Sequence, residues 1–209
     1  MVNYRRYFEK AIKANFPRNH QEIISETNEN YTIISVDTAF AATSSNPIDK
    51  RLDFSSYFLS FIKTLDERGE SFATIRTNCL EIVIDYVSPK NQLQIFLKRL
   101  PVKLMNTLIA KSFVRKLAKR VSEKSHPDGF RADIITDKNE TFGLGYGVDI
   151  LECGICKLFQ KHNYSKYASI LCEVDEITSS MAGLKLVRNG TIAQGAKKCD
   201  FRYQRFDRP

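Results

Sequence analysis

Through most of the first 125 residues, apolar side chains recur three and four positions apart between charged ones, and this spacing predicts helices. Tyr4 to Phe16 carries Tyr7, Ile12 and Phe16 among charges, with Pro17 to end it. Asp53 to Glu67 repeats the pattern with Tyr57, Phe58, Phe61 and Leu65 and stops at Arg68-Gly69. Ser71 to Tyr86 places Ile75, Cys79, Ile82 and Val83 on one face, so Cys79 reads as a small core residue. Thr32 to Val36 is a β-branched run, and Asp37 to Lys50, rich in Ala, Ser, Thr and Asn, predicts a loop that can serve as a connection or as a lid. Farther on, Pro101 divides Gln92 to Arg99 from Val102 to Glu123, with Leu104, Leu108, Phe113, Leu117 and Val121 as an apolar stripe.

After His126-Pro-Asp-Gly129, a turn by composition, the pattern changes from helical to strand-like. Arg131 to Thr136 and Tyr146 to Glu152 predict two strands of a hairpin with Asp137 to Glu140 at its tip. Gly143, Gly145 and Gly147 lack the Lys-Ser/Thr and helix start of a phosphate loop, and their alternation fits a strand closely approached by backbone or ligand. Gly154 to His162 and Ser165 to Ala182 predict helices, the second closed by Gly183, and Leu184 to Val187 and Cys199 to Tyr203 predict closing strands. These elements make an α+β fold: a mainly helical region, 1–125, packed with a region, 126–209, that carries an antiparallel sheet and two or more helices, the two forming one compact unit.

Charge adds one feature. The chain of 209 residues has a net charge of +8, which raises nucleic acid or acidic lipid as partners. Ser88 to Lys124 alone holds ten Lys or Arg against the single acid Glu123, a net of +9. Lys111, Arg115 and Lys119 recur every four residues on one side; aromatic residues do not interleave with them, which argues against nucleic acid. No apolar run is long enough to span a bilayer, since Cys79 to Val87 is short and carries Glu81 and Asp85. No membrane partner is therefore expected, and a homo-oligomer is left open.

Four of the five cysteines, Cys153, Cys156, Cys172 and Cys199, fall in the last third. The start of the chain does not resemble a signal peptide, so the expectation is a cytoplasmic protein with reduced thiols that are catalytic, metal-binding or buried. Cys172, Asp175 and Ser179 share a strip of the Ser165 to Ala182 helix, beside a buried side of Tyr167, Leu171, Val174 and Met181. Zinc held by Cys153, Cys156, Cys172 and Cys199 is an alternative: Cys153-x-x-Cys156 has knuckle spacing, but the other pair is split between a helix and a strand. Otherwise no cofactor is expected. His162 lies nearest the thiols in sequence, as a base, a ligand or a surface residue ending a short helix.

The runs Glu152-Cys153-Gly-Ile-Cys156, Leu171-Cys172-Glu-Val-Asp175, Thr191-Ile-Ala-Gln-Gly195 and Cys199-Asp-Phe-Arg-Tyr203 resemble the L-2-amino-thiazoline-4-carboxylic acid hydrolase family over roughly residues 145–205. That family distantly resembles small-ligand-binding vinyl-reductase domains, which implies helices packed on an antiparallel sheet. The resemblance implies a hydrolase adding water to a cyclic amidine-like C–N bond of a small amino-acid-derived substrate. By residue type, Cys172 would attack as thiolate, Asp175 would activate water or shuttle a proton, and Arg202 would grip the substrate carboxylate, with Cys199 and Cys153 also lining the substrate site. In a regular closing strand Cys199 and Arg202 face opposite ways, and Cys153 and Cys199 are equally well read as structural thiols. The alternative is a non-catalytic small-molecule-binding module of the same fold.

Overall fold

The computed structural model describes residues 4–105 and 107–206. Its first half is helical: α1 (Arg5–Asn15), α2 (His20–Ile34), α3 (Arg51–Glu67), α4 (Phe72–Val87), α5 (Gln92–Leu104) and α6 (Leu108–Ser122). The centre is α3, in which every residue from Ser55 to Ile62 is buried. Its core hydroxyls are satisfied within the helix: Ser56, Ser60 and Thr64 donate to the carbonyls of Leu52, Ser56 and Ser60 at 2.8, 2.7 and 3.0 Å. These small polar residues let α2 and α4 approach closely, and Phe8, Ile12, Ile23, Ile75, Cys79, Ile82 and Val83 pack on the aromatic side chains of α3.

The second half supplies β1 (Arg131–Ile135), β2 (Gly147–Glu152), α7 (Gly154–Lys161), α8 (Ala168–Met181), β3 (Leu184–Val187) and β4 (Cys199–Arg205). The strands form one antiparallel sheet in the order β1-β2-β4-β3. Registers Ala132↔Ile150↔Cys199 and Ile134↔Val148↔Phe201 put one apolar face against Leu52, Ala41, Val121 and Phe130. Side chains one position along point the other way, so Asp133, Asp149 and Asp200 align across the polar face. There Asp149 is held by Lys198 at 2.6 Å and Arg202 at 2.8 Å; burial acts to raise its pKa, but these two cations prevail and lower it.

The two cores draw on both regions, and polar contacts join them. Leu158, Phe159, Tyr167, Ile170, Leu171 and Val174 of α7, α8 and the turn before α8 complete the core around α3. Buried Asp49 accepts from Ser44 at 2.5 Å, Ser125 at 2.9 Å and the Phe130 N–H at 2.8 Å, while Asn46 donates to the Phe130 carbonyl at 2.9 Å.

Several expectations need correction. The β-branched run Thr32 to Val36 finishes α2 and enters a 3-10 segment (Ser35–Ala42), because Ile23, Thr27 and Ile34 recur on a helical face against α3. Asp37 to Lys50 is not a plain loop either; a second 3-10 turn (Pro47–Lys50) follows, and Asp37 is tied to Lys161 and His162 at 2.8 and 2.9 Å. Pro101 sits inside α5, and the two helices are separated after Leu104 instead. Of the expected stripe only Val121 is buried and Leu117 partly so; Leu104, Leu108 and Phe113 are exposed, because Val114 and Val121 face the sheet. Gly143 and Gly145 lie in the hairpin turn at φ +76° and +69°, so that turn extends beyond Glu140. Gly147 does sit in a strand, where a Cβ would come within 3.0 Å of the Arg202 side chain and the Phe201 carbonyl. Met181 is only half-buried.

Candidate active site

Where β2 ends, the chain turns directly into α7, and Cys153 is the N-cap. Its Sγ accepts the Cys156 N–H at 3.5 Å, the position a Ser or Asp oxygen ordinarily takes. Gly154 is required behind it, since a Cβ there would meet the Asp128 carbonyl at 3.0 Å and Phe130 at 3.1 Å. The thiol of Cys156 and the backbone N–H groups of Cys156 and Ile155 pull the Cys153 thiol below its usual range, against burial; as the donor of that pair, Cys156 is pushed well up.

The other thiols differ. Burial raises Cys172, on α8, although the Thr191 hydroxyl works against it. Burial pushes Cys199, the first residue of β4, up to about 12, and its Sγ accepts the Ile192 N–H at 3.2 Å. The four sulfurs stand close enough to influence one another's charge, so the fold does gather the thiols scattered along the sequence. Among the described residues no group of three or more His, Cys, Asp or Glu is arranged to hold a metal ion.

Asp175 lies three residues beyond Cys172 on α8 and is held between two guanidiniums. Arg51 at the start of α3 donates to it at 2.7 Å, and Nη1 of Arg188, just after β3, stands 4.0 Å away. The Arg188 side chain is only 12% exposed; Nη2 donates to the Cys172 carbonyl at 3.0 Å and to Glu176 at 3.1 Å, whereas Nη1 is buried and has no hydrogen-bond partner among the described residues. Arg51 also acts electrostatically on Cys153 and Tyr203, closing a cluster of thiols, one carboxylate and two guanidiniums.

The residues of Cys199-Asp-Phe-Arg-Tyr203 divide between the faces of β4. Phe201 lies under the Arg188 guanidinium at 5.7 Å and Tyr203 stacks on Tyr146 at 6.0 Å, both on the cluster side. Asp200 accepts the N–H groups of Asn189 and Gly190, each at 3.0 Å, and so fixes the turn that aims Arg188. Arg202 is on the far face, bonded to Asp149 and away from the thiols, and has no place in the cluster. In Thr191-Ile-Ala-Gln-Gly195, Thr191 is buried beside Cys172, and Gly195 closes a 3-10 turn (Ile192–Gln194) at φ +88°.

The model of the L-2-amino-thiazoline-4-carboxylic acid hydrolase family matches residues 50–203, well over half of the chain. The chain belongs to this family. The match begins at the first turn of α3, so the hydrolase family's likeness includes Arg51 and the helices before the sheet, beyond the 145–205 stretch that carries the motifs. No curated protein and no solved structure matches the chain. Sequence reasoning brought Cys153, Cys172, Cys199 and Asp175 forward, quoted Thr191 within a motif without a role, and missed Arg51 and Arg188. Arg188 leaves a trace, a cation between a strand and the turn residues Asn189-Gly190; Arg51, 124 positions from Asp175, leaves none.

Proposed function

We propose that the chain is a thiol-dependent hydrolase that opens the ring of a small cyclic amidine carrying a carboxylate, of the kind its family is named for. What supports this first is Nη1 of buried Arg188, which has no hydrogen-bond acceptor among the described residues and is flanked by the Asp175 carboxylate and the Cys172 backbone. A buried N–H without an acceptor is costly, and a substrate carboxylate would supply that acceptor in a charge-assisted hydrogen bond to Nη1. The cation role expected of Arg202 passes to Arg188, and the nucleophile role expected of Cys172 passes to Cys153, the thiol that its surroundings favour as thiolate.

Chemistry at this site conserves atoms and needs no oxidant. The Cys153 thiolate adds to the ring carbon between nitrogen and sulfur, and the C=N electron pair moves to nitrogen, which takes up a proton. The ring C–S bond then breaks, in place of the C–N bond that the resemblance implies, leaving the amidine carbon on Cys153 and releasing the ring sulfur as a thiol that takes the proton given up by the amidinium nitrogen. Water adds to that carbon as Asp175 takes its proton, and collapse expels the Cys153 thiolate with formation of a carbamoyl group. One water is consumed, and a carbamoyl-cysteine leaves.

Incubating the purified protein with L-2-amino-thiazoline-4-carboxylate and following the products by mass spectrometry tests the proposal. The expected result is addition of one water, abolished in Cys153→Ala, preserved after chelation, and weakened chiefly through KM in Arg188→Lys, which keeps the charge and loses the separate Nη1 donor. Loss of turnover in Cys172→Ala alone would return the nucleophile role to Cys172, and loss on chelation would favour the zinc arrangement. No turnover with unreactive thiols would leave a small-molecule-binding module.

A further inference from the structure

Thirteen large apolar side chains are exposed among the described residues, and seven of them fall between Leu93 and Phe113. Scattered exposed apolar residues are ordinary, but such a concentration on two successive helices is not. On α5, which has no buried residue, Leu93, Phe96, Leu97 and Leu104 are spaced three, four and eleven positions from the first and share one face. On α6, Leu108 and Ile109 are 82% and 83% exposed and Phe113 is 66% exposed. The same segment carries the chain's excess positive charge, and among the described residues Arg99, Lys103, Lys111, Arg115, Lys116 and Lys119 form no ion pair. Beside it lies a cavity of about 300 Å³ between α6 and the β1–β2 turn, lined by Lys111, Arg115 and Lys138 over Val114 and Leu144. Leu108, Lys111 and Arg115 follow one strip of α6, so Leu108 leads toward the cationic cavity, while Ile109 and Phe113 follow another exposed strip.

We propose that α5 and α6 form a docking surface for an anionic lipid bilayer, with their exposed Leu, Ile and Phe side chains at the acyl boundary and a headgroup phosphate held by Lys111, Arg115 and Lys138. Helices with apolar faces and many Lys and Arg lie in the membrane interface in this way, and anionic leaflets attract such segments. The expectation of no membrane partner rested on the lack of a spanning segment, and no described helix is long and apolar enough to span; lying on a surface requires no span. A second copy of the chain on this face would oppose like charges, and nucleic acid offers nothing for a cluster of aliphatic side chains to enter.

The whole protein is sedimented with phosphatidylcholine vesicles, with and without phosphatidylglycerol. The chain contains no Trp, so Phe113→Trp adds a single reporter whose emission should shift to the blue on docking. Binding is expected to be at least about tenfold stronger to the anionic vesicles, and to fall about tenfold in Ile109→Ser/Phe113→Ser and in Lys111→Glu/Arg115→Glu. These side chains are exposed, and unchanged melting temperatures would show that both variants are folded. Absence of vesicle binding at low salt overturns the proposal. So does binding indifferent to the Ser substitutions and equally displaced by DNA or polyglutamate, which would indicate an acidic macromolecule, or capture of glycerol phosphate without vesicle association, which would indicate a soluble phosphate site.

Discussion

A thiol at a helix N-cap does two jobs that a substitution can separate. Cys153 accepts the Cys156 N–H that opens α7, and the same donors that satisfy its sulfur favour its thiolate. Cys153→Ser keeps an acceptor and removes the nucleophile, so stability should change by less than about 1 kcal/mol while turnover is lost. In native protein titrated with iodoacetamide, peptide mass spectrometry should find Cys153 labelled at lower pH than Cys172, which burial raises, and Cys199, which burial pushes up to about 12. Simultaneous labelling of all three would show that the cap does not activate the thiol. At this scale the sequence exposed residue types and helical strips: Cys172 and Asp175 are three apart and do lie together near the other thiols. It could not show which thiol is activated, because the N–H groups and the neighbouring sulfur responsible are brought to Cys153 by folding.

Between elements, Glu152 at the end of β2 holds three connections together. Lys124, from the segment after α6, pairs with it at 2.8 Å, Lys157 of α7 at 2.6 Å and Arg131 of β1 at 3.1 Å. Hydrogen bonds from Lys124 and then Lys157 lead the causes that bring its carboxyl down to about 2. The folded pKa is thus below the unfolded one, so this contribution is complete above the ordinary carboxylate range and is lost as pH falls toward 2. The cluster is partly open to water, and screening reduces its contribution to about 1 kcal/mol. Glu152→Gln should therefore melt about 2–4 °C lower near neutral pH, with the difference vanishing toward pH 2 in a calorimetric series; a pH-independent difference would assign the loss to packing. Periodicity made α1, α3, α4, α7, α8 and the four strands legible in the sequence. It failed for Thr32 to Val36, where a local β preference yields to packing on α3, and for Pro101, which α5 accommodates.

Across the whole molecule, burial and charge are distributed in opposite senses. The deepest core surrounds α3, to which α2, α4 and α7 all pack, whereas the most basic segment contributes no buried residue from α5 and only Val114 and Val121 from α6. That contrast was half legible: composition located the charge, but an apolar stripe on a basic helix looks the same whether it meets a core or water, and only the placement of α6 on the sheet shows that Leu108 and Phe113 remain outside. Amides of a helix with no buried residue exchange through local fraying, while those of a buried central helix exchange only when the core opens. Hydrogen exchange read by mass spectrometry should therefore show α5 deuterated first, the sheet-facing turns of α6 later and the Ser55 to Ile62 stretch of α3 last. Added vesicles that slow exchange in α5 and the first turn of α6, leaving α3 unchanged, would locate docking on this face. Protection of α5 equal to that of α3 in the protein alone would mean that another copy of the chain covers it in solution, and the surface would then be a subunit interface in place of a membrane one.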